Sequence, residues 1–344
     1  MATQTMQTEE RLSAADKARA FYELTKPGIL KLLVLTTVCT MFVAERGLPS
    51  GWLLLVTMLG TVLICGSANT LNMVWDQDID QIMNRTAHRP LVTGRVTQTE
   101  ALVFAATIGL AGVAVLTFGA NPLAALMGIA GHAFYVVIYT MWLKRSTPQN
   151  IVIGGAAGAF PPLIGWAAVT GDLSVTAWLI FALIFLWTPP HFWALALYKD
   201  VEYGKANIPM MPVVRGRYTT KFQMLVYTML LLGCSALIAI EGLMGIIYLV
   251  SAILLGIGFA YYCIKVAFAD AEREEYWAKR LFAYSILYVA LIFGAMSVDA
   301  VQTHHFTEYG YLVGIERDAK KMRAEQQLEK IREIHNGEAV ETAR

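Results

Sequence analysis

Charge is scarce in this sequence. Asp, Glu, Lys and Arg make up 15% of its 344 residues, against roughly 25% in ordinary soluble domains. The two signs nearly cancel, leaving a formal net charge of +1, so no long-range field steers a charged partner. The lack of a basic excess excludes a nucleic-acid binder with a cationic face. Cysteine is rare too. Cys39, Cys65, Cys234 and Cys263 lie inside apolar runs without CxxC or metal spacing. That excludes a disulfide scaffold and reads as small buried apolar residues. What is abundant is apolar. A hydrophobic share of 56% excludes a disordered chain and exceeds what a soluble domain can hide. The composition is that of a multispanning membrane protein.

A helix needs about 20 mostly apolar residues to cross a bilayer. Nine stretches qualify: 28–44, 51–74, 101–118, 123–142, 151–169, 174–197, 223–240, 243–265 and 281–299. Turn chemistry separates them, as at Leu48-Pro49-Ser50-Gly51 and Gly119-Ala120-Asn121-Pro122. The runs are continuous rather than alternating, so they predict an all-α membrane protein and not a β-barrel. The first 20 residues carry Glu9, Glu10 and Asp16 and no apolar core. Neither a cleavable signal nor an organellar transit peptide is expected there.

Lys and Arg predict the orientation. With a cytoplasmic N-terminus, the inside segments hold five (through Lys31), three, two, five and four of them, and the outside loops hold Arg46 alone. This predicts an inner-membrane protein whose loops 75–99 and 198–221 face the cytoplasm. The tail after residue 300 carries seven Lys and Arg and breaks the pattern. Its residues 316–334 read as a charged, solvated helix, and His304 and His305 as surface residues. The expected organisation is a cytoplasmic segment over 1–21, a nine-helix domain over 22–300 and a charged tail over 301–344.

The acidic side chains gather at two inside segments. In the first, Asn72, Asp76 and Asp80 recur every four residues. On a helix this places them on one face, about 6 Å apart along the axis, with Asp78 round the side. Same-sign charge at a membrane boundary is costly unless cations occupy it. A hard divalent cation such as Mg²⁺ takes oxygen ligands and bridges carboxylates to substrate phosphates. The second segment contains Asp200 and Glu202 and gains weight from a repeat. Pro90-Leu91-Val92-Thr93-Gly94-Arg95-Val96-Thr97 matches Pro212-Val213-Val214-Arg215-Gly216-Arg217-Tyr218-Thr219 at an offset of 122 positions (90 to 212). The same offset lays Asp78 on Asp200 and Asp80 on Glu202. The chain is therefore expected to hold two related four-helix units plus one extra helix. Its ligand site is expected between them, with both acidic clusters at one mouth.

Basic groups on the same side complete a diphosphate site: Lys26, Arg85, Arg89, Lys144, Arg145 and Lys205. Carboxylates would hold Mg²⁺ and the cations would take the remaining phosphate oxygens.

These residues resemble a known family. The spacing Asn72, Asp76, Asp80, followed by Arg85-Thr86 and Arg89-Pro90, is similar to the first aspartate-rich motif of the UbiA superfamily of intramembrane prenyltransferases. Leu24-Thr25-Lys26-Pro27, Tyr139–Asn150, Ile153–Gly158, Pro161–Trp166 and Thr188-Pro189-Pro190-His191-Phe192-Trp193-Ala194 resemble its heme O synthase branch. The resemblance covers about residues 22–300. Glu202-Tyr203 stands where that branch tends to show Asp-Tyr. The resemblance implies nine helices around a central cavity, and transfer of the farnesyl group of farnesyl diphosphate to a vinyl group of heme B, with Mg²⁺. It also implies a handover partner such as heme A synthase or a terminal oxidase. No CxxCH motif is present, as suits heme taken as a substrate.

The expected roles follow. Asn72, Asp76, Asp80, Asp200 and Glu202 are metal ligands. Asn72, Arg85, Arg89, Lys144 and Lys205 hold diphosphate. Asp76, Asp80, Lys144 and His191 carry the chemistry, and His191 is also the heme-contact candidate. Trp75, Tyr135, Tyr139 and Trp193 are aromatic candidates beside an allylic cation, although core packing explains each more simply. His132 reads as a hydrogen-bonded structural residue. Two rivals share some of these features: a relative acting on an aromatic or quinone precursor, and an ion-coupled transporter. The transporter would need carboxylates near the middle of its spans.

Overall fold

The computed structural model describes residues 13–241 and 244–302, and all the regular structure there is helical. A short helix, α1 (Ala14–Leu24), precedes the apolar elements. The remainder are α2 (Pro27–Glu45), α3 (Gly51–Trp75), the short α4 (Gln77–Ile82), α5 (Gln98–Gly119) and α6 (Pro122–Ser146), then α7 (Asn150–Thr170), α8 (Val175–Lys205), α9 (Met211–Ile240), α10 (Ile246–Ala267) and α11 (Glu274–Gln302). Among the described residues nine of these are long and apolar enough to span a bilayer, one for each apolar run in the sequence. The chain is a multi-pass membrane protein.

Caps set many of the boundaries. Ser50, Thr97, Asn121 and Ser174 each accept a backbone N–H of the helix they start. Pro27 and Pro122 open α2 and α6, where a missing N–H costs nothing. The carboxylate of Asp299, buried near the end of α11, accepts the backbone N–H groups of Ile247 (2.9 Å), Tyr248 (3.3 Å) and Gly245. It satisfies the otherwise orphaned donors at the start of α10.

Neighbouring spans approach closely where residues are small. A Cβ on Gly112 of α5 would lie 2.9 Å from the backbone nitrogen of Ile64 in α3. One on Gly165 of α7 would strike the carbonyl oxygen of Thr37 in α2. Ser297 of α11 donates to the Cys39 carbonyl of α2 (3.3 Å), which joins the last helix to the first span.

Three boundaries differ from expectation. α8 does not end at 197 but continues to Lys205, so Asp200 and Glu202 ride on helix rather than loop. The segment 211–222 is helical as well, kinked at Gly216, whose φ of 80° only glycine tolerates easily. Its repeat counterpart Gly94 also has positive φ, at 71°. α1 runs through the expected boundary at residue 21 and buries Ala20 and Leu24 against Met73, Leu91, Val96 and Ala101. Of the expected tail, residues 303–344, including His304, His305 and 316–334, lie outside the described residues, as do Glu9 and Glu10.

Candidate active site

Helical phase explains the first motif. α3 ends at Trp75, but the backbone bonds Asp76 N–H to Asn72 C=O (2.9 Å) and Asp80 N–H to Asp76 C=O (2.8 Å) carry the turn into α4. Positions four apart stay on one face. Asn72, Asp76 and Asp80 are all buried, Asp76 completely. Asp78, two positions away and so about 200° round the helix, points out with 64% of its side chain exposed. There it forms a bidentate pair with Arg145, 2.7 Å to each oxygen, which holds its carboxyl below the usual carboxylate range.

Cations from other elements converge on the buried face. Lys144 pairs with Asp76, Arg89 with Asp80, and Lys26 donates to Asn72 Oδ1. The Asn72 amide donates to Asp76 Oδ2 (2.8 Å) and to Thr140 Oγ1 (2.9 Å). Asp76 Oδ1 has no hydrogen-bond partner; the Arg145 guanidinium stands 3.7 Å from it. Lys26 sits in the left-handed region with φ 54° just before Pro27, a strained conformation for a non-glycine residue. Desolvation, helped by Arg89 and Lys144, pushes its ammonium well below the ordinary lysine range.

Lys144 reaches Asp76 from an unusual helix. Residues Phe134–Leu143 of α6 form a π-helix, a wider turn often found at functional sites. This stretch presents Tyr135 and Tyr139, stacked at 5.6 Å, and Thr140.

These groups form one end of a cavity of about 1130 Å³, at the upper limit of small-molecule pockets. Lys26, Asn72, Asp80, Arg85, Arg89 and Lys144 line its charged end. Tyr135, Tyr139, Phe160, Trp187, Phe282 and both His132 and His191 line its body. His191 is buried, its Nδ1 2.6 Å from Ser285 Oγ. His132 Nε2 lies 3.1 Å from Ser67 Oγ, and the ring also borders the cavity.

The second motif is placed differently from the expectation of a shared mouth. Neither Asp200 nor Glu202 lines the cavity; Tyr203 does. Two residues apart on a helix, the two acids point about 200° apart and cannot converge on one ion. Asp200 pairs with Arg217 (2.6 Å), which also binds buried Glu274, a partner of Lys221. Glu202 Oε1 accepts from Lys199 (2.6 Å) while Oε2 is buried without a partner. Lys205 is exposed and outside the cavity lining. Among the described residues no three acidic, His or Cys side chains are already gathered as for a metal. Of the aromatic candidates, Trp75 is 45% exposed and Trp193 is fully buried against Tyr227, away from the cavity lining.

The model of the UbiA prenyltransferase family matches residues 32–287. The chain belongs to this family. It is similar to a protoheme IX farnesyltransferase of Gloeobacter violaceus, 48% identical over 291 residues that cover 85% of this chain and 94% of that protein. A protoheme IX farnesyltransferase of Symbiobacterium thermophilum is 47% identical over 296 residues, covering 86% and 99%. Two solved structures share the fold. Digeranylgeranylglyceryl phosphate synthase superposes with a TM-score of 0.70 at 18% identity, covering 83% of this chain and 99% of that one. A UbiA homologue from Archaeoglobus fulgidus bound to GPP and Mg²⁺ gives 0.61 at 16% identity, covering 81% and 99%.

Sequence reading of this UbiA-family site missed Trp187, Phe282, Ser285 and Tyr203. Trp187, Phe282 and Ser285 stand among apolar residues without spacing that marks them, and only the approach of α11 to α8 reveals them; Tyr203 stands in the polar end of α8, marked there only as the neighbour of Glu202. Arg95 was visible in the repeat. It lines the cavity rim and pairs with Glu23 at 2.7 Å, which lowers the Glu23 pKa.

Proposed function

We propose that this chain transfers the farnesyl group of farnesyl diphosphate to a vinyl group of heme B, releasing diphosphate, and that addition of water gives heme O. The observation that carries this reading is the single cavity, cationic at one end and aromatic along its body with His191 in its wall. The names of the two curated relatives, each matched over at least 94% of its length, point the same way.

Lys26, Arg85, Arg89 and Lys144 hold the diphosphate oxygens by charge-assisted hydrogen bonds. Their grip strengthens as the C1–O bond breaks and negative charge gathers on the leaving group. The apolar body excludes water from the allylic cation, and the faces of Tyr135 and Tyr139 favour positive charge. The residues also fit a divalent cation. Asp76 Oδ1 and Glu202 Oε2 are buried oxygens without partners, and Asn72 and Asp80 border the cavity. All four offer hard oxygen donors suited to Mg²⁺. Such an ion, when bound, adds positive charge beside the leaving diphosphate. Asp200 falls outside this set because it neither lines the cavity nor carries a buried oxygen left without a partner.

The Lys/Arg distribution supports a cell inner-membrane location with the charged end cytoplasmic. Cysteines introduced at Gln98 and at Tyr218, which is 84% exposed, are expected to react with an impermeant thiol reagent only from the cytoplasmic side. Labelling of intact cells from outside would reverse the orientation. The function itself is tested by incubating the purified protein with heme B, farnesyl diphosphate and Mg²⁺ and weighing the heme product. Heme O is expected; heme B recovered unchanged would refute the reading.

A further inference from the structure

His191 is held more tightly than a packing residue needs. Its ring lies between Trp187 on one face (4.3 Å between centroids, 19° between planes) and Phe282 on the other (4.5 Å, 20°). The Trp187 indole N–H donates to the Ser285 carbonyl oxygen (2.8 Å), which ties α8 to α11 beside the ring. Rotation out of this slot would break both stacks.

The hydrogen bonds also assign the tautomer. Ser285 Oγ lies 2.6 Å from the Phe282 carbonyl oxygen. Two oxygens at that distance without a proton between them repel, so the serine proton points to Phe282. Ser285 Oγ must then accept from His191, and Nδ1 carries the imidazole proton. The neutral ring keeps its lone pair on Nε2, which has no hydrogen-bond partner among the described residues, in a side chain that borders the cavity.

A free imidazole lone pair in such a place has two uses. It takes a proton, or it binds a metal. Among the described residues no carboxylate pairs with His191. An imidazolium between two aromatic rings would be a buried charge without a partner, which is costly. Giving a lone pair to a metal creates no such charge. Metal-bound histidines moreover donate their other N–H to a neighbour that fixes ring and tautomer, which is the part Ser285 plays. With heme as the substrate proposed above, the metal at hand is its iron, which histidine commonly holds.

We propose that His191 binds the iron of the heme substrate through Nε2, and that Ser285 is a positioning residue that keeps this nitrogen unprotonated and aimed. This rests on the heme reading above and adds the anchoring atom. His191 lines the body of the cavity, so the iron is anchored there, apart from the charged end where the diphosphate is held.

The test is resonance Raman spectroscopy of the full-length purified protein with ferrous heme B, alongside heme titrations. The wild type is expected to show an iron–histidine stretching band. His191→Gln should lose it, and added imidazole should restore an iron–nitrogen band. Ser285→Ala should keep the band but shift it, and weaken heme binding about ten- to a hundred-fold. Ser285→Thr, which retains the hydroxyl, should restore both. Unchanged farnesyl diphosphate binding in each variant shows that it has folded. A band that survives His191→Gln would overturn the ligand assignment and point to His132. A Ser285→Ala protein with unchanged band and affinity would overturn the positioning role. Formation of heme O by a wild type that shows no iron–histidine band would overturn ligation while leaving the transferase reading intact. Absence of both heme binding and heme O would remove both.

Discussion

Where α3 runs on into α4, Asn72, Asp76 and Asp80 share one buried face, and Asn72 and Asp80 line the cavity; near the end of α8, Ala194, Tyr198 and Glu202 hold the corresponding places, 122 positions on (90 to 212), and none of the three lines it. The outward positions match better. Asp78 and Asp200 each leave the helix away from the cavity, and each is paired with an arginine, Arg145 and Arg217. The glycines Gly94 and Gly216 share positive φ. The two segments thus share an outward ion pair and a turn, while the inward stripe is complete in one and reduced to one acid in the other. The lesson is that helical phase, not the number of nearby carboxylates, decides which acids are turned inward, and of the acids in the two motifs Asp80 lines the cavity.

The largest effects should come from the complete stripe. Asp76→Ala or Asp80→Ala is expected to lower heme O formation by two to three orders of magnitude, the scale of losing one preorganised charge-stabilising group, in protein that still inserts. Near-normal turnover in either would erase the contrast between the segments. Glu202→Gln should have an intermediate effect, about ten-fold, and should raise the Mg²⁺ concentration needed for half-maximal rate. Combined with Asp80→Asn, it should depart from additivity, as residues that share one bound ion do. Simple addition would mean that the second segment acts elsewhere.

The smallest effects belong to the outward acids. Asp78→Asn should leave turnover within about three-fold and cost less than about 1 kcal/mol of stability, as expected for an exposed pair. Arg145 depresses the Asp78 pKa, so the pair contributes above the ordinary carboxylate pKa and is lost as pH falls through the depressed value. The difference in melting temperature between wild type and Asp78→Asn should therefore be present at neutral pH and vanish in acid. A difference that persists in acid would mean that the effect is not the ion pair.

Much of this was legible in the sequence, and the omissions have physical causes. The nine spans stand out because a bilayer demands long apolar runs, and the spacing of Asn72, Asp76 and Asp80 announces one face of a helix. The end of α8 is hidden because polar residues mark the end of a membrane span but not of a helix; Tyr198–Lys205 is polar yet helical. The direction of Asp200 is hidden for the same reason, since only a helix separates it from Glu202 by about 200°. The clasp of Trp187, His191, Phe282 and Ser285 depends on contacts between distant segments, which no local pattern encodes.

The central claim is that the inward acids hold a divalent ion at the diphosphate end while their outward neighbours do not. Binding of Mn²⁺ as a paramagnetic stand-in for Mg²⁺, measured by electron paramagnetic resonance in the presence of farnesyl diphosphate, tests it directly. Asp80→Asn and Glu202→Gln are expected to lose bound Mn²⁺, whereas Asp78→Asn and Asp200→Asn retain it at the wild-type level. Loss of Mn²⁺ from Asp200→Asn as complete as that from Asp80→Asn would contradict the account.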